Sequence, residues 1–124
     1  MKNCPILVQI ISQYLPEQSQ PGKSKYAFVY HITIQNKGSE AAQLISRRWL
    51  IIDGNQVRKE VQGMGVVGEQ PLIEPGSRYQ YTSGVVLDTA VGTMEGCYQM
   101  VSESGEEFDA PIPPFLLAAP GAVH

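Results

Sequence analysis

The sequence predicts an all-β protein, a two-sheet antiparallel sandwich of about seven strands. Three observations carry this expectation. Residues 26–36 alternate strictly, with Tyr26, Phe28, Tyr30, Ile32 and Ile34 on one side and Ala27, Val29, His31, Thr33 and Gln35 on the other, which is the period of a half-buried strand. No stretch sustains an apolar helical period, and Pro and Gly interrupt every window long enough for a substantial helix. Short apolar runs are separated by turn clusters such as Asp53-Gly54-Asn55, Glu74-Pro75-Gly76 and Ser104-Gly105, the pattern of an immunoglobulin-like or fibronectin-III-like sandwich.

The elements follow in order. Residues 6–15 form a first strand and residues 26–36 the clearest one. Residues 44–53 are apolar on both faces around Trp49, Leu50, Ile51 and Ile52, as expected of a central strand covered by the opposing sheet. The hairpin residues Asp53-Gly54-Asn55 then return the chain along 57–62. Runs at 78–87, 93–102 and 107–112 complete the set. Residues 18–25 and the tail from about 118 are rich in Pro, Gly, Ser or Ala and are expected to be flexible. Trp49, Phe28, Tyr30, Ile32 and Ile51 should be among the most buried side chains. Of Arg47 and Arg48, which precede Trp49, one must face outward and the other inward or toward an end; the inward one reads as a paired structural arginine.

A chain of 124 residues, 43% apolar and 17% charged, is large enough to close one hydrophobic core as a single domain without staples. Cys4 and Cys97 belong to no close-spaced framework, so two buried free thiols are expected rather than a disulfide scaffold or zinc ribbon. The first apolar run is interrupted by Gln9 and Ser12 and lacks a small-residue cleavage site, which reads as a strand and not a signal peptide. No run approaches the roughly 18 apolar residues of a membrane span. A cytoplasmic, reducing location is the expectation.

Charge is unevenly spread. Through Arg78 the chain carries nine bases and six acids, a net +3, and beyond it six acids and no base, a net −6. Cross-strand pairing of late acids with earlier bases would account for this. The functional alternative is an acidic edge at Glu103, Glu106, Glu107 and Asp109 facing a basic partner or a cation. Nucleic acid is not expected as a partner, since the only local basic clusters are Arg47-Arg48 and Arg58-Lys59.

The segment Gly63-Met64-Gly65-Val66-Val67-Gly68 fits the dinucleotide pattern G-x-G-x-x-G. That pattern binds pyrophosphate only where a strand precedes it and a helix begins within it. Here Pro75 follows and would end any helix after about one turn. The glycines therefore read as devices for close packing, bulges or positive φ, with anion binding by loop amides as the alternative. Other chemistry is poorly supported. His31 lies opposite the aromatic face, His124 is terminal, Cys97 is mid-strand, and Ser83-Gly84 lacks a nucleophile elbow. Glu106, Glu107 and Asp109 fall short of a dedicated cation loop.

The ordered succession of Tyr26–Asn36, Ser46-Arg47-Arg48-Trp49, Asp53-Gly54, Val61-Gln62-Gly63-Met64-Gly65-Val66-Val67-Gly68-Glu69, Pro75-Gly76, Tyr81-Thr82-Ser83-Gly84, Gly92-Thr93-Met94-Glu95-Gly96 and Ile112-Pro113-Pro114-Phe115 resembles the ApaG family over nearly the whole chain. The resemblance implies a fibronectin-III-like sandwich found as a small bacterial protein, associated with cobalt and magnesium tolerance and commonly encoded beside a diadenosine tetraphosphate hydrolase. It also implies kinship with domains of some eukaryotic F-box proteins and of a polymerase-associated protein, which look like interaction modules.

The function expected is thus a non-enzymatic protein-interaction module that turns over neither nucleoside triphosphates nor diadenosine polyphosphates. A small-ligand protein binding nucleotide, pyrophosphate or a divalent cation is the alternative. No cofactor and no membrane are expected; the partner is another protein, with a homo-oligomer open. Two candidate surfaces follow: the loop of Gly63, Met64, Gly65, Val66, Val67, Gly68 and Glu69, and the acidic edge at Glu103, Glu106, Glu107 and Asp109.

Overall fold

The computed structural model describes residues 4–121. Within them the strands are β1 (Ile6–Tyr14), β2 (Tyr26–Asn36), β3 (Ala42–Asp53), β4 (Arg58–Met64), β5 (Leu72–Ile73), β6 (Arg78–Leu87), β7 (Val91–Ser102) and β8 (Glu107–Ala118). They make two antiparallel sheets, one ordered β1-β2-β6 and the other β4-β3-β7-β8, with β5 pairing the start of β3 on the side that β4 occupies further along. The expected all-β sandwich is what the chain forms.

The departures are local. Strand β5 is only two residues long, too short to show a period. Strand β8 continues six residues beyond the expected end, through Pro113 and Pro114, because an edge strand can spare the N–H groups that proline lacks. Residues 18–25, expected to be flexible, lie in a region shaped by two 3-10 turns, Pro16–Gln18 and Pro21–Lys23. There the Ser19 hydroxyl donates to Leu15 O at 2.7 Å and accepts from Ala27 N at 2.8 Å, pinning the connection against both strands. At the other end, Ala119 is buried and its N–H donates to Ala90 O at 2.8 Å. Residues 122–124, including His124, lie outside the described residues.

Alternation places Phe28, Tyr30, Ile32 and Ile34 of β2 against Trp49 and Ile51 of β3, and all are buried, Trp49 at 3% exposure. Trp49 meets Tyr30 edge-on with ring centroids 5.5 Å apart and Phe115 of β8 at 6.0 Å, while Tyr30 and Phe115 stand 5.9 Å apart. This aromatic cluster joins the two sheets. A second link is polar: the hydroxyls of Tyr81 (β6) and Tyr98 (β7) share a buried hydrogen bond of 2.5 Å. A third is Asn36, fully buried at the end of β2. Its Nδ2 donates to Glu40 O at 2.8 Å and Ile73 O at 2.9 Å, and its Oδ1 accepts from Gly38 N at 2.9 Å. One amide thereby satisfies the turn before β3 and the carbonyl at the end of β5, where hydrophobic side chains could not.

Removing the central ring should leave a cavity that its neighbours cannot fill. Trp49→Ala is expected to cost about 3–5 kcal/mol, measured by chemical denaturation. The tyrosine pair carries a pH signature. Burial pushes both phenols well above their ordinary value. The unfolded chain releases these protons as pH climbs past about 10, whereas the folded chain retains them. Their contribution is therefore complete below that pH and is lost as pH rises through the folded values. The free energy of unfolding should fall above about pH 10, and less steeply in a Tyr81→Phe, Tyr98→Phe double variant. Tyr81→Phe alone should cost about 1–3 kcal/mol at neutral pH, by leaving the Tyr98 hydroxyl unpartnered.

Candidate functional site

The glycine-rich segment is a tight, fully specified turn. It leaves β4 at Met64 and crosses toward β5 along the edge of β3, at the bulge between Leu44 and Ser46. Gly65 N donates to Ile45 O at 2.8 Å, and Val66 and Glu69 exchange backbone bonds of 2.8 and 2.9 Å around Val67-Gly68. Those two central residues have φ of 47° and 80°, a hairpin turn with both angles positive. Gly65 is also left-handed, at φ 62°, and a Cβ there would collide with Glu69 O. At Gly63 a Cβ would sit 2.9 Å from the Arg47 guanidinium. The glycines thus serve backbone conformation and close approach, and no helix follows them, so the pattern builds no dinucleotide cradle. The amides of Gly65, Val66 and Glu69 are already bonded to carbonyls.

The turn divides its apolar side chains. Val66 is inserted into the core at 1% exposure, whereas Met64 and Val67 stand out at 68% and 63%. Val66 thus caps the core while Met64 and Val67 are displayed to solvent. Gly68 and Glu69 are exposed.

Arg47 proves to be the inward arginine, on the same face of β3 as Trp49 and Ile51, and Arg48 is exposed. Its Nη1 donates to Met64 O at 3.1 Å and Gly65 O at 2.8 Å, so it holds the turn rather than pairing with a carboxylate. Arg47 also borders a cleft of about 400 Å³ between β4 and β6. Trp49, Tyr30 and Val61 supply apolar walls, Lys59 a second cation, and residues 83–88 of the β6 region a continuous rim. Asp53 and Asp88 also line the cleft, and Asp53 Oδ1 is committed to the amides of Asn55 and Val57 at 2.8 and 3.0 Å. The one sequence signal for this cleft was the inward arginine in phase with Trp49.

The acidic residues lie elsewhere, on the opposite side of β3 from the turn. Glu103, Glu106, Glu107 and Asp109 are all exposed around the β7–β8 hairpin. The register sets Glu107 opposite Val101, Asp109 opposite Gln99 and Glu95 opposite Leu50. The expected cross-strand pairing of acids with bases is therefore absent at these positions, and the late acids are a surface feature of the hairpin. Glu106 and Asp109 border a second cleft, of about 420 Å³, with Cys4 and Pro5. Cys4 is exposed and Cys97 only half-buried, which corrects the expectation of two buried thiols: Cys4 precedes β1 and has no strand neighbour to cover it. His31 is exposed and its Nδ1 shares a 2.9 Å hydrogen bond with the Thr82 hydroxyl. Among the described residues no three His, Cys, Asp or Glu side chains converge as a metal-binding group, and no helix is long and apolar enough to cross a membrane.

The family profile described as the ApaG domain matches residues 16–102, which hold the cleft, its rim and the glycine-rich turn. The chain is 56% identical over 119 residues to Protein ApaG of Dechloromonas aromatica, covering 96% of this chain and 94% of that one. It is 56% identical over 117 residues to Protein ApaG of Pseudomonas paraeruginosa, covering 94% and 93%. The crystal structure of the putative ApaA protein from Bordetella pertussis superposes with a TM-score of 0.91 at 49% identity, covering 94% of each chain. The arginine-held glycine turn and the two-sheet sandwich around Trp49 are thus seen in a chain that belongs to the ApaG family.

Proposed function

We propose that this domain is a non-enzymatic protein-interaction module of the cytoplasm, with the turn at residues 63–69 as part of its contact surface. The observation that carries this reading is the division of the turn. Val66 is anchored in the core while Met64 and Val67 are held out to solvent on a backbone fixed by Arg47. A rigid apolar tip loses little freedom on binding. Val67 adds to the argument, because a β-branched residue at positive φ is a backbone outlier and costs on the order of 1–3 kcal/mol. Displaying that side chain in that geometry works against stability, so a role in contact accounts for it.

In this reading the family's association with cobalt and magnesium tolerance acts through a protein partner. Among the described residues no three acids of the β7–β8 hairpin converge as a metal-binding group, which supports that view over a resident cation. The small-ligand alternative has less support at the turn, whose amides at Gly65, Val66 and Glu69 are engaged. The domain is likewise proposed to hydrolyse neither nucleoside triphosphates nor diadenosine polyphosphates.

Met64→Ala should leave the unfolding free energy within about 0.5 kcal/mol of the parent, Val67→Asp should not lower it, since Asp tolerates the left-handed region, and both should reduce capture of copurifying protein from the native host. Val66→Asp should prevent folding. Loss of stability in Val67→Asp, with partner still bound in proportion to folded protein, would remove the turn from the contact surface. Val67→Asn tests the strain separately and should raise stability by about 1 kcal/mol in the same denaturation assay.

A further inference from the structure

A sandwich of two open sheets has four edge strands, and three of them here are protected. Strand β8 carries Pro111, Pro113 and Pro114. Strand β1 lies against β8, with the Ser12 hydroxyl donating to Leu116 O at 3.0 Å. Strand β4 bears Arg58, Lys59 and Glu60 in succession. Prolines, charges and covering elements are the usual guards against strand addition. Strand β6 has only one of them, the charge of Arg78 at its first residue. From Tyr79 to Leu87 it has no charge and no proline, and it pairs with β2 over ten residues without a bulge.

Its free hydrogen-bonding groups can be placed. Asn36 N donates to Ser77 O, and the antiparallel pairing alternates from there. Tyr79, Tyr81, Ser83 and Val85 therefore bond β2, while Gln80, Thr82, Gly84 and Val86 direct their N–H and C=O groups away from it. Consecutive residues 83–88 all line the cleft, which side chains alone cannot do in a strand that alternates faces; the main-chain edge itself is the rim.

We infer that the β6 edge accepts an extended, acidic and apolar peptide segment of a partner protein, which adds as a strand and sets alternate side chains into the cleft. This rests on the reading of the domain as an interaction module and names a second surface for it. Main-chain bonds to the edge supply affinity and the cleft supplies selectivity. Apolar side chains meet Val57 and Val61, and a carboxylate meets Arg47 or Lys59, neither of which is bonded to a carboxylate among the described residues. A second copy fits less well. Pairing β6 with its own copy would leave the cleft unfilled, because the inward side chains of each β6 belong to its own core, and the strand from Tyr79 to Leu87 has no carboxylate to set into it.

The test is selection of a display library of random short peptides on the purified full chain, followed by affinity measurements with synthetic versions of the enriched peptides. Enriched peptides should alternate apolar residues with at least one carboxylate. Their affinity should fall by about tenfold or more on Val86→Pro, which removes an outward N–H without touching the β2 ladder, and on Lys59→Glu, and should hold on Met64→Ala. Should the proline variant not fold, Val86→Lys, a charged guard on the same edge, takes its place. Peptides that bind the edge variants as well as the parent overturn the inference; if those peptides lose affinity on Met64→Ala, the module reading stands at the turn without the edge. No enrichment at all overturns it too, while partner capture that still depends on Met64 and Val67 would keep the module reading. Dimerisation abolished by Val86→Pro, with no peptide enriched, assigns the edge to a second copy.

Discussion

Trp49 is the contact on which the rest of the molecule depends. It stands on β3, the one strand flanked along its length by β7 on one side and by β4 and β5 on the other, and it faces Tyr30 of the opposing sheet. Once that ring is buried, the phase of β3 is fixed. Leu44 lies on the covered side beyond the bulge, Ile51 follows Trp49 inward, and Arg47 is carried inward with them. An arginine could not occupy that face deep in the sandwich without a large desolvation cost. It is tolerated because the open side between β4 and β6 lets the guanidinium reach two turn carbonyls and solvent at once.

Closure on the other side has the opposite character. Phe115 brings β8 under the aromatic pair, and β1 lies alongside it. Pro113 and Pro114 of β8 fall where its register on β7 shifts, between Ile112 and Phe115, a place where proline is tolerated. One flank of the sandwich is thus sealed and the other left ajar, a consequence of three strands facing four along one core.

Much of this was legible in the sequence. The half-buried strand β2 announced itself by strict alternation, and Trp49 by its place in a run apolar on both faces. The glycines of 63–68 read correctly as conformational devices because Pro75 after them forbids the helix a phosphate cradle needs. What escaped were features that depend on neighbours. The two residues of β5 have no period. The prolines of β8 look like a terminator until the strand is known to be an edge. Cys4 was assigned burial, and Glu107 and Asp109 cross-strand pairing with bases, by general tendency; Cys4 is exposed and the register sets the two acids opposite Val101 and Gln99. The inversion at Val67 has no signal, since valine is among the last residues expected at φ 47°.

The turn and the cleft are mechanically one unit. Arg47 spans them, with its guanidinium packed where Gly63 leaves room and its Nη1 on Met64 O and Gly65 O. A carboxylate drawn to that cation would compete with, or add to, the bonds that position Met64. Bonds from an ionised donor are stronger than neutral ones, so a single side chain ties the posture of the turn to the wall of the cleft. Two features that look separate on the sequence, a glycine-rich loop and a strand uncharged from Tyr79 to Leu87, thus meet at one side chain, which bonds the loop and lines the cleft that the strand borders.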